Sequence, residues 1–287
     1  MIPNKTIEEL ISRHSTLEKD LSSGTIDKKL FAEKSKEYSD VNEIIEIGVK
    51  ANIPVNIDHD NVGERAPKAS WAYPLVGALV GAIAALIANI LNFFGLPVTI
   101  CTIMALFTMV TLTGGIHEDG LSDSADGLGG GTDKDSILKI MKDSRIGSFG
   151  TIALVLIILG RYGSMSELMK IDQLFWPLVA AGAISRVPMV GAMVYLNPAR
   201  SDGLSASVGA PPKFSFIIAL IIGILSCVLV VGMLSILVLL GVGIITMIIF
   251  YIANEKISGQ TGDVLGASQQ FAELIALSII SGILIIN

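Results

Sequence analysis

The sequence predicts an all-α membrane protein whose helices form a polytopic transmembrane bundle of about seven spans. Apolar residues make up 52% of the 287 residues and charged residues only 16%, a balance that soluble globular domains rarely reach. From residue 72 onward, apolar stretches recur near the length of roughly 20 residues that a bilayer requires of a helix. The two cysteines, Cys101 and Cys227, lie inside apolar runs, so neither a disulfide framework nor a cysteine metal site is expected.

Seven apolar stretches are predicted to cross the membrane. The run from Phe214 to Ala253 is too long for one span, so we predict a turn at Gly232 to Ser235. Seven spans place the long polar loops together on one face, which carries most of the Lys and Arg residues and is therefore expected to be cytoplasmic. The predicted spans are residues 72–93, 96–116, 148–168, 174–196, 215–233, 236–253 and 267–286.

The chain is expected to have three parts. Residues 1–50 are predicted to be a soluble helical segment, because Leu10 and Leu17 fall on helical spacing among charged residues. Residues 51–70 contain proline and glycine among polar residues with little periodicity, which is typical of a linker. Residues 71–287 form the predicted membrane domain.

An acidic stretch between the second and third spans is the strongest candidate for chemistry. Gly114 to Gly131 reads GGIHEDGLSDSADGLGGG, and Asp119, Asp123 and Asp126 recur at i, i+4 and i+7, so all three share one face if the stretch is helical. Converging carboxylates beside Glu118 need a cation, and hard oxygen ligands select Mg²⁺, Mn²⁺ or Ca²⁺. We expect Mg²⁺ bound with a diphosphate, with these four residues as candidate ligands.

The plain alternative for this stretch is a solvated acidic loop. Two features favour the metal site. Glycines interleave the acidic residues, which lets the backbone approach a ligand closely, and the stretch begins at the end of a span, where idle carboxylates are costly. His117, at the same span end, is a candidate base or ligand; a plain interfacial histidine is the alternative.

Cationic residues near the acidic stretch are candidates for binding a substrate phosphate, which would lie between the metal and the cations. Two of these residues, Lys142 and Arg145, lie in MKDSRIGSFG. The alternative for them is a role as membrane anchors. Arg161, deep in the third span, is expected to be structural, pairing within the bundle or snorkelling. The full predicted phosphate-binding set is Lys142, Arg145, Arg186, Arg200 and Asp263.

Five motifs resemble the cobalamin synthase family, the adenosylcobinamide-GDP ribazoletransferases, over about residues 53–287. In chain order they are HEDGLSDSADGLGGG, IMKDSRIGSFG, SRVPMV, ARSDGL and TGDVLGASQQFAE. The resemblance implies a Mg²⁺-dependent integral membrane transferase that joins adenosylcobinamide-GDP to α-ribazole or its 5′-phosphate and releases GMP in cobalamin biosynthesis. It implies a cell inner membrane location with cytoplasmic active-site loops, a lipid bilayer as partner and no nucleic acid, and it leaves homo-oligomer formation open.

On this reading the predicted catalytic set is Asp119, Asp123, Asp126 and His117. Mg²⁺ held by the three aspartates would bridge the diphosphate while a ribazole hydroxyl attacks the phosphorus bonded to cobinamide. One carboxylate, or His117, would take the hydroxyl proton.

Residues of about 5–46 resemble a different family, the N-terminal helical region of class I peptide chain release factors. The catalytic GGQ tripeptide of those factors does not occur in the sequence, so release-factor activity is not expected. A ribosome-associated membrane module would need residues 1–46, whereas we expect their deletion to leave transferase activity nearly intact.

Two other functions compete with the transferase reading. A phospholipid head-group phosphotransferase would carry a DGxxAR pattern, and DGLSDSADG lacks the AR pair. A membrane transporter with an acidic cation-binding loop belongs to a different class. Transporters typically place polar residues at mid-membrane in broken helices, whereas the carboxylates here are expected in a loop.

Overall fold

The computed structural model describes residues 65–286. The predicted soluble segment, its release-factor resemblance and most of the predicted linker lie outside the described residues. The last residues of the predicted linker, 65–70, are helical, and a short 3-10 turn, Ala69–Ala72, leads into the first long helix.

The described residues form eleven α-helices and contain no β-strand, which confirms the predicted all-α class. A second 3-10 turn, Gly232–Leu234, joins two of the helices. The helices are α1 (Tyr73–Phe93), α2 (Val98–Thr113), α3 (Ile116–Gly130), α4 (Lys134–Met141), α5 (Ser148–Lys170), α6 (Phe175–Ile184), α7 (Val187–Tyr195), α8 (Leu204–Val208), α9 (Lys213–Val231), α10 (Ser235–Ile257) and α11 (Gly262–Ile286).

The apolar stretches predicted from the sequence are all helical. Five helical stretches in the described range are long and apolar enough to cross a membrane, and the bent pair of α2 and α3 brings the number to six. The longest of them, Lys213–Ile257, has 45 residues and would measure about 68 Å as one helix at 1.5 Å per residue, twice the bilayer core.

That longest stretch reverses direction at the predicted turn. Gly232 has φ +55°, a conformation that favours glycine. Beyond it the chain returns, because a Cβ added at Gly191 would meet Phe216 of α9 at 3.2 Å and Phe250 of α10 at 3.7 Å. The start of α9 and the end of α10 therefore lie at the same end of the bundle, and the stretch makes two apolar helices.

Close backbone contact at glycines holds the bundle together. A Cβ added at Gly77 in α1 would lie 1.9 Å from the carbonyl oxygen of Gly182 in α6, so only glycine fits this crossing. Small residues at such crossings are typical of membrane helices, where dispersion contacts replace the hydrophobic effect between elements. The main apolar cluster lies around this crossing and includes buried Ala84, Leu178 and Ala181.

A double glycine sets the direction of the acidic helix. Gly114 and Gly115 have φ of +65° and +70°, and α2 and α3 meet there at 87°. Beyond the bend α3 lies directly on α11, because a Cβ at Gly120 would be 2.9 Å from the Asp263 carbonyl oxygen and one at Gly266 would be 3.1 Å from that of His117. The glycines of the acidic motif therefore bring two backbones together.

Candidate functional site

The acidic stretch is a helix, α3, as the shared-face argument required. Its four acidic residues nevertheless have different surroundings. Glu118 and Asp126 are held by hydrogen bonds to neighbouring helices, whereas the carboxylates of Asp119 and Asp123 accept no hydrogen bond from any described residue. We call the first two the anchored pair and the last two the free pair.

Asp126 caps the beginning of α5. Its two carboxylate oxygens accept hydrogen bonds from the backbone N–H groups of Gly147 (2.7 Å) and Gly150 (2.9 Å). Gly147 is the N-cap residue of α5 and has no side chain to fill this role. A carboxylate placed there satisfies unpaired amides and interacts favourably with the positive end of the helix, so Asp126 ties the outer end of α3 to the start of α5.

Glu118 belongs to a buried cluster made of Glu118, Arg161, Gln269, Gln270 and Glu273. Arg161 is 1% exposed and donates from Nη1 to Glu118 Oε1 (3.1 Å) and from Nη2 to Glu273 Oε1 (2.8 Å). Gln270 Nε2 also donates to Glu118 Oε1 (2.9 Å). The expected structural role of Arg161, pairing within the bundle, is thus what the structure shows.

The free pair lines an open cavity of about 520 Å³. Glu118 forms part of the same wall, and Lys142, Asp143 and Ser144 lie on the other side. No group of three His, Cys, Asp or Glu residues in the described chain is arranged to hold a metal ion by itself. The cavity therefore offers two unbound carboxylates and a cation rather than a closed protein cage.

The other polar loops reach the same region. Arg200 Nη2 donates to Asp263 Oδ2 (3.2 Å), and Thr261 Oγ1 donates to the same oxygen (3.1 Å). Asp123 interacts electrostatically with Asp119, Asp263 and Asp126, and with Arg200. Arg200 and Asp263 thus lie beside the free pair, as the predicted convergence of the loops required.

The cations of the MKDSRIGSFG segment are paired with nearby acids. Lys142 forms an ion pair with Asp202, from the loop before α8, and both side chains are at least half exposed. Arg145 hydrogen-bonds to Asp143 and lowers the pKa of that carboxyl to about 2. The Lys142 hydrogen bond likewise lowers the pKa of Asp202. Lys142 lines the open cavity; Arg145 does not.

Comparison with known proteins identifies the family. The family model described as cobalamin-5-phosphate synthase matches residues 44–281. The chain belongs to the cobalamin-5-phosphate synthase family. A Bradyrhizobium diazoefficiens protein named adenosylcobinamide-GDP ribazoletransferase is 38% identical over 78% of this chain and 87% of its own length. A Mesorhizobium japonicum protein of the same name is 41% identical over 78% of this chain and 86% of its own. No solved structure matches the chain.

Two predicted site residues of this family member lie away from the open cavity. His117 and Arg186 are 7% and 4% exposed and line a separate inner cavity of about 10 Å³ together with the buried cluster. Arg186 stands at the break between α6 and α7 and donates from Nη1 to the Gly182 carbonyl oxygen (2.8 Å). The structure therefore does not bring Arg186 together with Lys142 and Arg200.

The expectation that the carboxylates lie only in a loop is wrong for Glu118. Glu118 pairs with Arg161, which lies ~20 Å along α5 from its first residue at 1.5 Å per residue. The acidic helix enters the bundle because its glycines permit backbone contact with α11. From the sequence, a broken helix and charged side chains inside the bundle were expected for a transporter. The structure contains both.

Sequence reasoning missed the partners of the anchored pair. Gln269, Gln270 and Glu273 were visible only as part of the family motif, although three polar residues within five positions of an apolar span are themselves a signal of interior pairing. Asp202 was visible in the ARSDGL motif, but its pairing with Lys142 was not, because that contact spans 60 residues.

Proposed function

We propose that this chain is an adenosylcobinamide-GDP ribazoletransferase. It transfers the adenosylcobinamide phosphate group from adenosylcobinamide-GDP to a hydroxyl of α-ribazole, or of its 5′-phosphate, and releases GMP. Family membership gives the reaction class, and one observation supports the site. Two carboxylates that no described residue binds face the same cavity as Lys142, which is the arrangement that phosphoryl transfer with a divalent cation requires.

The residues present fit Mg²⁺. Mg²⁺ keeps several waters and is usually bound through one or two carboxylates plus substrate phosphates, rather than by an all-protein cage. Asp119 and Asp123 supply two such carboxylates, and the cavity leaves room for the rest of the shell. Bound there, Mg²⁺ would neutralise diphosphate charge and stabilise the departing phosphate.

The cations of the site have separate roles in the proposal. Lys142 lines the cavity and can exchange its partner Asp202 for a substrate phosphate, since both side chains are exposed. Arg200 has a buried Nη1 that hydrogen-bonds to no described residue, and it lies next to the carboxylates through Asp263. We assign phosphate contact to Lys142 and Arg200, and we leave Arg186 out of the set.

The chemical step balances with the residues of the free pair. The attacking ribazole hydroxyl forms a P–O bond with the phosphorus that carries cobinamide, and the P–O bond to GMP breaks. The proton of the ribazole hydroxyl passes to a carboxylate of the free pair and then to water. GMP leaves with the electrons of the broken bond. His117 is not the acceptor in this proposal, because it lines the inner cavity and not the open one.

The proposal includes the orientation of the protein in a cell inner membrane. The described loops around the open cavity carry Lys134, Lys139, Lys142 and Arg145, and positively charged loops remain in the cytoplasm. A reporter fused after residue 286 should then be active outside the cytoplasm, because the chain ends at the opposite face after seven crossings. Cytoplasmic activity of that reporter would contradict the orientation.

A transporter is the second candidate, because α6 and α7 form a broken helix with Arg186 at the break. The inner cavity at that break has a volume of about 10 Å³, room for one water at most. Its charges also pair with one another. The structure thus offers no pathway for a solute there, and the transferase is the better proposal.

Product formation tests the proposal. Purified protein in lipid vesicles receives adenosylcobinamide-GDP and α-ribazole with or without Mg²⁺, and both the cobalamin product and GMP are measured. We expect equal amounts of both products, only with the metal, and their loss in Asp123→Asn. Asp172→Asn, the same change in the exposed turn after α5, is the matched control. Well-inserted protein that forms no product, or an Asp123→Asn variant with normal turnover, would refute it.

A further inference from the structure

The buried cluster has no role in the reaction described above, although it contains the most buried charges among the described residues. Arg161 and Glu273 are each 1% exposed, and Gln269 and Gln270 are equally buried. A charge inside a membrane domain is costly unless it is paired, and such residues commonly serve a function. We therefore asked what the cluster does for the site beside it.

Glu118 connects the cluster to the site. It is the one residue of the cluster that also lines the open cavity, and it lines the inner cavity as well. Its neighbour in sequence, Asp119, is exposed and faces the open cavity. Adjacent residues of a helix point about 100° apart, so drawing Glu118 inward turns Asp119 outward.

We propose that Arg161 is a positioning residue for the transfer: by holding Glu118 inside the bundle, it sets the rotation of α3 that presents Asp119 and Asp123 to the open cavity. This inference rests on the proposed function for its consequence, but its geometric part stands without it. Among the described residues that line the open cavity, Arg161 hydrogen-bonds only to Glu118.

Two other contacts of α3 act on its spacing from α11 and on its outer end. Gly120 and Gly266 set how closely α3 approaches α11, yet glycines carry no side chain to fix the angle about the helix axis. Asp126 fixes the outer end of α3 on the start of α5. At the inner end Leu121 packs with Ile157 and Ala267. The polar contacts there that fix the direction of the acidic side chains are those of Glu118 with Arg161 and Gln270.

Without Arg161, the buried position of the Glu118 carboxylate becomes unfavourable. Its Oε2 is buried and accepts no hydrogen bond from the described residues, so its charge is compensated through Oε1 alone. A buried carboxylate that loses its cation is strongly destabilised, and the open cavity that Glu118 lines is wide enough to solvate it. Glu118 would then turn into that cavity and carry Asp119 out of place.

Cysteine labelling measures this rotation without any need for activity. The native cysteines, Cys101 and Cys227, are buried. Asp119→Cys and Ser122→Cys, placed one at a time, report on an exposed and a buried position of α3. With Arg161 present, a membrane-impermeant maleimide should label position 119 at least tenfold faster than position 122. In the Arg161→Met background we expect this ratio to fall at least threefold.

Activity measurements give the second half of the test. Arg161→Met should lower kcat about 100-fold. Arg161→Lys keeps the positive charge but has one terminal nitrogen in place of the two that bond to Glu118 and Glu273, and it should recover about a tenth of the parent kcat. Lys170→Met is the matched control: it removes an exposed ion pair with Glu167 from the same helix and should leave both the labelling ratio and kcat unchanged.

The outcomes separate positioning from simple support of the fold. A changed labelling ratio with a graded kcat, in protein whose melting temperature stays within a few degrees, supports the proposal. Equal acceleration of labelling at both positions would mean general loosening and would overturn it, as would an unchanged ratio. If Arg161→Met does not fold, the ratio of labelling at position 119 to labelling at position 122 is measured in Arg161→Lys instead. A fall in that ratio supports the proposal, and an unchanged ratio overturns it. If the parent lacks transferase activity, the proposed function fails while the labelling result still stands.

Discussion

The buried cluster and the open cavity begin at adjacent residues of one helix, yet their electrostatics are opposite. In the buried cluster Glu118 and Glu273 both pair with Arg161, and glutamines fill the remaining positions. In the open cavity the carboxylates of Asp119 and Asp123 have no hydrogen-bond partner among the described residues, and nearby Asp263, itself paired with Arg200, acts on Asp123 from outside the cavity lining. The acidic motif thus has two tasks: its anchored pair builds the site, and its free pair is left available for a ligand.

Removing the free pair should have the largest effect. We expect Asp119→Asn/Asp123→Asn to lower transfer by roughly 10³-fold or more, because the cavity loses the charge that holds a cation against the diphosphate. The melting temperature should not fall, since neither carboxylate bonds to a described residue. GMP release and a thermal scan measure the two. Activity within tenfold of the parent would show that the free pair is not the catalytic site.

Adding a side chain at the close contact between α3 and α11 should have the second largest effect. Gly120→Ala places a Cβ 2.9 Å from the Asp263 carbonyl oxygen, and we expect a loss of about 2 kcal/mol in stability from overpacking against a backbone, together with most of the activity. Gly163→Ala is the control, because no described atom lies within 4 Å of its added Cβ. Thermal unfolding in detergent would compare them; equal melting temperatures would contradict the close crossing.

Removing the cap should have a smaller effect. Asp126→Ala leaves the amides of Gly147 and Gly150 without their acceptor, and we expect a loss of about 1 kcal/mol in stability with a partial loss of activity. Asp126→Asn keeps one acceptor oxygen and should be intermediate. Faster backbone hydrogen exchange at 147–150 would report the change, whereas unchanged exchange in Asp126→Ala would refute the capping role.

Exchanging the cavity's lysine should have the smallest effect. Lys142→Met should raise KM for adenosylcobinamide-GDP about fivefold with little change in kcat, because a half-exposed charge contributes modestly to binding. Asp202→Asn frees Lys142 from its partner and should leave KM unchanged or lower it. Steady-state kinetics distinguish the two. A lower kcat at unchanged KM in Lys142→Met would place Lys142 in the transition state instead.

The sequence predicted the elements of the fold because their signals are local. Apolar length identified the spans, and Gly232 marked the reversal between α9 and α10. The i, i+4, i+7 spacing gave the acidic residues a shared face on condition that the stretch is helical, and it is helical, although the carboxylates were expected in a loop. The relation among the loops also followed, since two crossings separate each long loop from the next and so place them on one face, and the contact of Arg200 with Asp263 agrees with it.

The division of the acidic residues could not be predicted in the same way. Asp126 is held by amides 21 and 24 residues away, and Glu118 by an arginine 43 residues away. Equal spacing made the carboxylates look equivalent, and only the packing of α3 on α5 and α11 separates them. Arg186 likewise looked like a phosphate ligand until the break between α6 and α7 placed it in the interior.

The division of α3 into a free and an anchored pair can be tested by one measurement, the Mg²⁺ concentration that gives half-maximal transfer, made on a variant of each acidic residue of α3 in turn. We expect Asp119→Asn and Asp123→Asn to raise this concentration at least tenfold without lowering the melting temperature. Glu118→Gln and Asp126→Asn should instead lower the melting temperature while changing the Mg²⁺ requirement less than threefold. A similar rise in the Mg²⁺ requirement for all four variants would contradict the division into a free and an anchored pair.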